Sequence, residues 1–93
     1  MDINTRVILN ATVLTTEIDD EIGMMNMEQG FYYTLNSVGK RIWGLLENEV
    51  AVADIVATLM KEYNVDFSVC QKDVIEILEL LEQNKLIEVA NNI

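Results

Sequence analysis

The chain has no histidine and no proline, a single cysteine, and six basic residues against sixteen acidic ones. Each shortage excludes something. Without histidine, the commonest general base and a principal metal ligand are missing. One thiol, Cys70, cannot close an internal disulfide, which fits a reducing cytoplasm. A formal charge of −10 repels phosphate backbones, so no nucleic-acid partner is expected. The same charge favours solubility and a basic partner. No apolar run approaches the length of a membrane span, and no membrane partner is expected. The opening MDINTRVILN lacks a basic segment followed by an apolar core, so no signal peptide is read there. There is no G-x-S-x-G, P-loop or C-x-x-C motif. Asp19, Asp20 and Glu21 lack the spaced oxygen ligands of a calcium loop and read as a turn between strands. Catalytic residues, metal sites and cofactors are therefore not expected.

What is present is apolar surface. Hydrophobic residues make up 51% of the 93 positions, enough for one domain over residues 1–93 with a modest core. There is no repeat, low-complexity segment or linker. The front half reads as strands and the back half as helices. VLTTEI (residues 13–18) alternates and is rich in β-branched residues. Asp19 and Asp20 turn the chain into EIGMMNM (residues 21–27). EQG (residues 28–30) leads into a third strand, FYYTL (residues 31–35), with Gly30 free to take positive φ. RVIL (residues 6–9) adds a short extended piece, and LIEV (residues 86–89) an extended tail. Within the third strand, period two places Phe31, Tyr33 and Leu35 on one face and Tyr32 and Thr34 on the other.

Asn36 or Ser37 is suited to cap a helix running to about residue 48. Its stripe is Val38, Ile42, Leu45 and Leu46, with Trp43 beside it. A second helix over residues 51–63 carries Val52, Ile55, Val56, Leu59, Met60 and Tyr63 at helical spacing. Ser68 to Gln71 has the pattern of a capping box and predicts a third helix ending near residue 84. Its core stripe is Cys70, Val74, Ile77, Leu78 and Leu81. Val69 and Leu80 flank that stripe on one side and Ile75 on the other, an arc wider than one neighbour requires. Two readings stay open on this evidence: all of it is core, or the third strand and third helix border an open groove. Met24, Met25 and Met27 read as gap-fillers in the sheet. Gly39 reads as a point of close approach, and Gly44 as a weaker case of the same.

The stretch GFYYTLNSVGKRIWGLL resembles the PqqD family, whose small proteins are also called RiPP recognition elements. The pattern G-x-Y-x-x-L-N-x-x-G-x-x-I-W is met by Gly30, Tyr32, Leu35, Asn36, Gly39, Ile42 and Trp43. A later D-V-x-x-x-L-x-x-L pattern is met by Asp73, Val74, Leu78 and Leu81. The resemblance runs from Val13 to Ile87 and is nearest to the stand-alone leader-binding partner of lasso-peptide biosynthesis. Ala51 departs from the Ser or Thr that members often carry at the start of the second helix.

The resemblance implies an α+β, winged helix-turn-helix-like fold: a three-stranded antiparallel sheet followed by three helices. It implies that the leader of a precursor peptide adds as a strand between the third strand and the third helix. Phe31, Tyr32, Tyr33, Thr34 and Leu35 are then the strand side of the leader site. Val69, Asp73, Val74, Ile77 and Leu80 are the helix side, with Asp73 placed to meet a basic leader residue. Lasso leaders resemble one another in an aromatic and a proline a few residues apart. The partner so implied is a leader peptidase of cysteine-protease type or another RiPP-modifying enzyme. A radical-enzyme system like that of pyrroloquinoline quinone synthesis is the alternative client. A winged-helix DNA-binding role conflicts with Asp73, Glu76, Glu79 and Glu82 against Lys72 and Lys85. A self-associating subunit with its groove filled by a second copy is a third reading.

Overall fold

The computed structural model describes residues 1–10, 12–28, 30 and 32–90. Gln29 and Phe31, at the entry to the expected third strand, lie outside the described residues. The front of the chain forms an antiparallel meander of β2 (Val13–Ile18), β3 (Glu21–Asn26) and β4 (Tyr32–Leu35), in the order β2-β3-β4. Ile18 pairs with Glu21, so Asp19 and Asp20 are the whole β2–β3 loop. Asp19 takes φ 54°, a left-handed conformation that Asp tolerates better than most residues. Between β3 and β4 the Asn26 side chain accepts the Glu28 N–H at 2.9 Å. Gly30, at φ 74°, donates its N–H to the Asn26 carbonyl at 2.8 Å.

Ile22, Met24 and Leu35 are buried beneath this sheet, and Tyr33 packs half-buried beside them. They pack on α1 (Ser37–Leu45) and share one core with α2 (Val52–Glu62) and α3 (Phe67–Gln83). Helix α1 ends sooner than the expected residue 48, because Leu46 turns back to donate its N–H to the Trp43 carbonyl, yet Leu46 stays buried with the rest of its stripe. Trp43 is itself buried. On α3, Cys70, Val74, Leu78 and Leu81 are buried at offsets 0, 4, 8 and 11, the helical period that puts them on one face. Each fully buried aliphatic side chain of this core contributes roughly 1.5–3 kcal/mol before entropy is counted.

A second small sheet closes the chain. β1 (Arg6–Leu9) pairs antiparallel with both β5 (Val50–Ala51) and β6 (Ile87–Ala90). The RVIL piece and most of the LIEV tail are thus partners, with Arg6 opposite Ala90 and Leu9 opposite Ile87. The two sheets meet at one carbonyl. Asn10, just after β1, and Asn26, at the end of β3, both donate side-chain N–H groups to the Lys85 carbonyl. Lys85 takes φ 62° to present it.

Two expectations are corrected here. The cap of α3 is Asp66, with the helix starting at Phe67; Ser68 Oγ donates to Asp66 Oδ2 at 2.6 Å and does not cap. Ala51 caps α2 without a side-chain bond, in line with its departure from Ser or Thr, and the backbone supplies two acceptors instead. The Val52 and Ala53 N–H groups donate to the carbonyls of Thr5 and Ile3, both at 2.9 Å. Met24 fills the core and Met25 is half-buried, whereas Met27 is exposed.

Gly44 is also corrected. A Cβ added there meets nothing within 4 Å, so no close approach depends on it. Gly44→Ala is expected to stabilise the protein by about 0.5–1 kcal/mol through helix propensity, read as a raised urea midpoint with unchanged slope.

Candidate functional site

Asn36 sets the geometry of the site. Its extended backbone ends β4, and its Oδ1 accepts the Gly39 N–H at 3.0 Å, capping α1. The chain therefore turns from strand to helix within one residue. Gly39 makes the turn tight: a Cβ there would lie 2.7 Å from Leu35 Cβ. The close approach read from the sequence is thus between α1 and its own preceding strand.

Among the described residues β4 has one strand neighbour, β3. Its other edge has no strand beside it, and an edge of this kind presents backbone donors and acceptors to an incoming chain. Tyr32 and Thr34 are exposed on the outer face of the sheet; Tyr33 and Leu35 point to the helices.

Beyond the C-terminal end of β4 lies an apolar recess of about 170 Å³. α1 supplies Val38 and Ile42, α2 supplies Leu59, and Tyr63 and Val65 come from the segment after α2. α3 supplies Cys70, Asp73, Val74 and Ile77. A shallower depression lined by Asn36, Val38, Asp73, Glu76 and Ile77 adjoins it. Val38, Asp73 and Ile77 line both, so the groove runs unbroken from the strand–helix corner into the recess. The charged side chains that line it are the two carboxylates Asp73 and Glu76.

Cys70 sits at the floor. Its thiol lies 3.9 Å from the Val56 carbonyl. Burial, and secondly the charge of Asp73, push its pKa above the ordinary value. It is therefore a neutral thiol at pH 7 and not a nucleophile. Outside the recess, Arg41 holds Glu62 by two N–H groups, the shorter contact 2.6 Å, joining α1 to the end of α2. That bond lowers the Glu62 pKa and raises that of Arg41.

Of the residues read as the helix side of the site, Asp73, Val74 and Ile77 line the recess. Val69 and Leu80 are exposed on the same flank of α3 but outside the lining. Val38, Ile42, Leu59 and Cys70, core-stripe residues by their spacing, are recess walls as well. Tyr63 falls just past α2 and is exposed, its side chain lining the recess.

An α+β domain with a free strand edge beside an apolar recess has the build of a peptide-recognition module. The chain belongs to the family of coenzyme PQQ synthesis protein D, PqqD, whose model matches residues 21–87, and with it to the RiPP recognition elements. A solved structure described as TbiB1 in complex with the TbiA(beta) leader peptide is similar, at 32% identity and a TM-score of 0.82. The match covers 91% of this chain and 99% of that one. A lasso peptide synthetase B1 complexed with the leader peptide shares the fold, at 21% identity and a TM-score of 0.77, covering 88% and 96% of the two chains. No curated protein matches.

Proposed function

We propose that residues 1–93 form a single leader-recognition domain. It binds the leader of a ribosomally made precursor peptide as an added strand on β4. It then delivers the attached core peptide to a separate leader peptidase of cysteine-protease type. The observation that carries this reading is the β4 edge with no strand beside it among the described residues, joined at Asn36 through the adjoining depression to the apolar recess. Backbone bonds to residues 32–35 hold the leader in register, and alternate side chains supply selectivity. The similarity to the TbiB1–leader complex supports the strand-addition partner.

The recess selects the anchor. Its 170 Å³ compares with the roughly 150 Å³ cavity that holds one benzene ring. One aromatic or proline side chain of the leader fits, and Asp73 and Glu76 at the mouth favour a basic residue beside it. Such a rim contact steers association more than it holds the complex. The protein contributes binding, not chemistry: tethering raises the effective concentration of the core peptide at the enzyme. The α3 surface, with Asp73, Glu76, Glu79 and Glu82 against Lys72, opposes a nucleic-acid role.

Fluorescence anisotropy of a labelled cognate leader tests the reading. Saturation below about 50 μM protein is expected, and Ile77→Asp should weaken binding by at least about ten-fold, roughly 1.4 kcal/mol, by placing a charge in the apolar recess. An anisotropy that stays flat across that range sinks the proposal.

A further inference from the structure

One wall of the recess belongs to no helix or strand. Tyr63 follows the last residue of α2 in extended conformation, at φ −125° and ψ 143°, and is 38% exposed. The backbone bonds around it are local: its N–H donates to the Leu59 carbonyl at 2.8 Å, and its carbonyl accepts the Val65 N–H at 3.0 Å. Tyr63 lines two spaces at once. One is the recess; the other is an open depression of about 330 Å³ that it forms with Asp20 and with Ser37, Lys40, Arg41 and Gly44. The side chain is therefore a shared wall. Turned one way it narrows the recess, and turned the other way it joins the recess to the depression.

The residue before Tyr63 ties this segment to α1. Glu62 Oε1 accepts Arg41 Nε–H at 2.9 Å, and Glu62 Oε2 accepts Arg41 Nη2–H at 2.6 Å. Two such bonds side by side fix direction as well as distance. Arg41 is next in the chain to Ile42, a recess wall, and itself lines the depression on the far side of Tyr63. We infer that the Arg41–Glu62 pair is a positioning clasp, holding Tyr63 against the recess and so setting the size of the leader side chain that enters. This rests on the functional reading above and names the residues that tune it. Neither clasp residue lines the recess; both act through Tyr63. With the clasp closed, the 170 Å³ recess takes a single ring. With it open, the phenol swings over the depression and a double ring such as indole is admitted. The two side chains are 41% and 36% exposed, and a pair this exposed adds little to global stability. It biases the position of one side chain by a few-fold, which is enough to change selectivity.

The test measures fluorescence anisotropy with labelled synthetic leaders that differ only at the anchor, the position whose replacement by alanine costs most affinity. One leader carries phenylalanine there and the other tryptophan. The wild type should prefer phenylalanine by about ten-fold, the cost of overfilling a packed site. Arg41→Gln and Glu62→Gln should each narrow that preference by about three-fold. They change the net charge in opposite senses, so an effect carried by charge alone would move them apart. Tyr63→Ala should remove the preference, and Arg41→Gln added to it should change nothing further, because the clasp has no other route to the recess. Arg41→Glu with Glu62→Arg should restore the wild-type preference. Thermal melts of the single variants should stay near the wild type; should either melt lower, the charge-swapped pair decides. Should Tyr63→Ala misfold, Tyr63→Leu takes its place. Single variants that keep the wild-type preference, or an Arg41→Gln effect that persists without the Tyr63 ring, overturn the clasp and leave leader binding standing. A wild type that binds neither leader overturns the functional reading and the clasp with it.

Discussion

Of Tyr33→Pro and Thr34→Pro, one variant is expected to fold and lose leader binding, and the other to lose the β3–β4 ladder. Successive N–H groups along a strand point to opposite edges. β4 has β3 on one side and no strand on the other among the described residues, so one of these two N–H groups faces each way. Proline removes the donor and fixes φ; it is tolerated on an edge and not inside a ladder. The ladder-side variant should be destabilised by about 3 kcal/mol, seen as a loss of cooperative thermal unfolding. The edge-side variant should keep its circular dichroism spectrum and bind labelled leader at least about ten-fold more weakly, the loss of one hydrogen bond at its larger cost. Tyr33→Ala and Thr34→Ala separate the side-chain contributions, which matters most for the half-buried Tyr33. If both proline variants fold and bind as the wild type does, strand addition at β4 is wrong.

Gly39→Ala should destabilise the protein even though alanine is the better helix former. Propensity favours the change by about 1 kcal/mol. Against it stands a Cβ placed 2.7 Å from Leu35 Cβ. Both atoms are fixed to backbone, so neither swings aside. Relief requires α1 to move off the end of β4, at about 1–3 kcal/mol for overpacking. The functional effect follows from where the strain falls. Asn36, Leu35 and Val38 join the free edge to the recess, and shifting them misaligns the two halves of the groove. Urea unfolding should show a lowered midpoint, and leader binding should weaken in the folded protein at low urea. Gly44→Ala, on the same helix with open space around it, is the matched control and should move the midpoint the other way. Equal midpoints for the two variants would falsify the tight corner.

Local chemistry made much of this fold readable in advance. The Asp19-Asp20 turn, the positive φ at Gly30, the Asn36 cap and the stripes of α2 and α3 depend on residues close in sequence. The second sheet depends on pairing Arg6 with Ala90 through strands of four residues, and no local signal announces such a partner. The same distance hid the capping of α2 by Ile3 and Thr5. At α3 the capping-box pattern at Ser68 misled because Asp66, two residues earlier, already stops the extended chain. The groove was legible as a breadth of apolar arc on α3. Its walls were not, because periodicity says which face is apolar and not whether a neighbour fills it. Val38, Ile42, Leu59 and Cys70 are equally good core residues and recess residues until packing is seen.

The small β5-β1-β6 sheet has a mechanical consequence. Arg6 and Ala90 are opposite partners at one end of an antiparallel ladder. Tension applied to both tails therefore acts on one rung at a time, in the unzipping direction, where strands part at low force. Peeling β1 away also withdraws the Thr5 and Ile3 carbonyls from α2. A hauling protease that grips the N-terminal tail would thus strip α2 of these carbonyls before it reaches the β2-β3-β4 sheet.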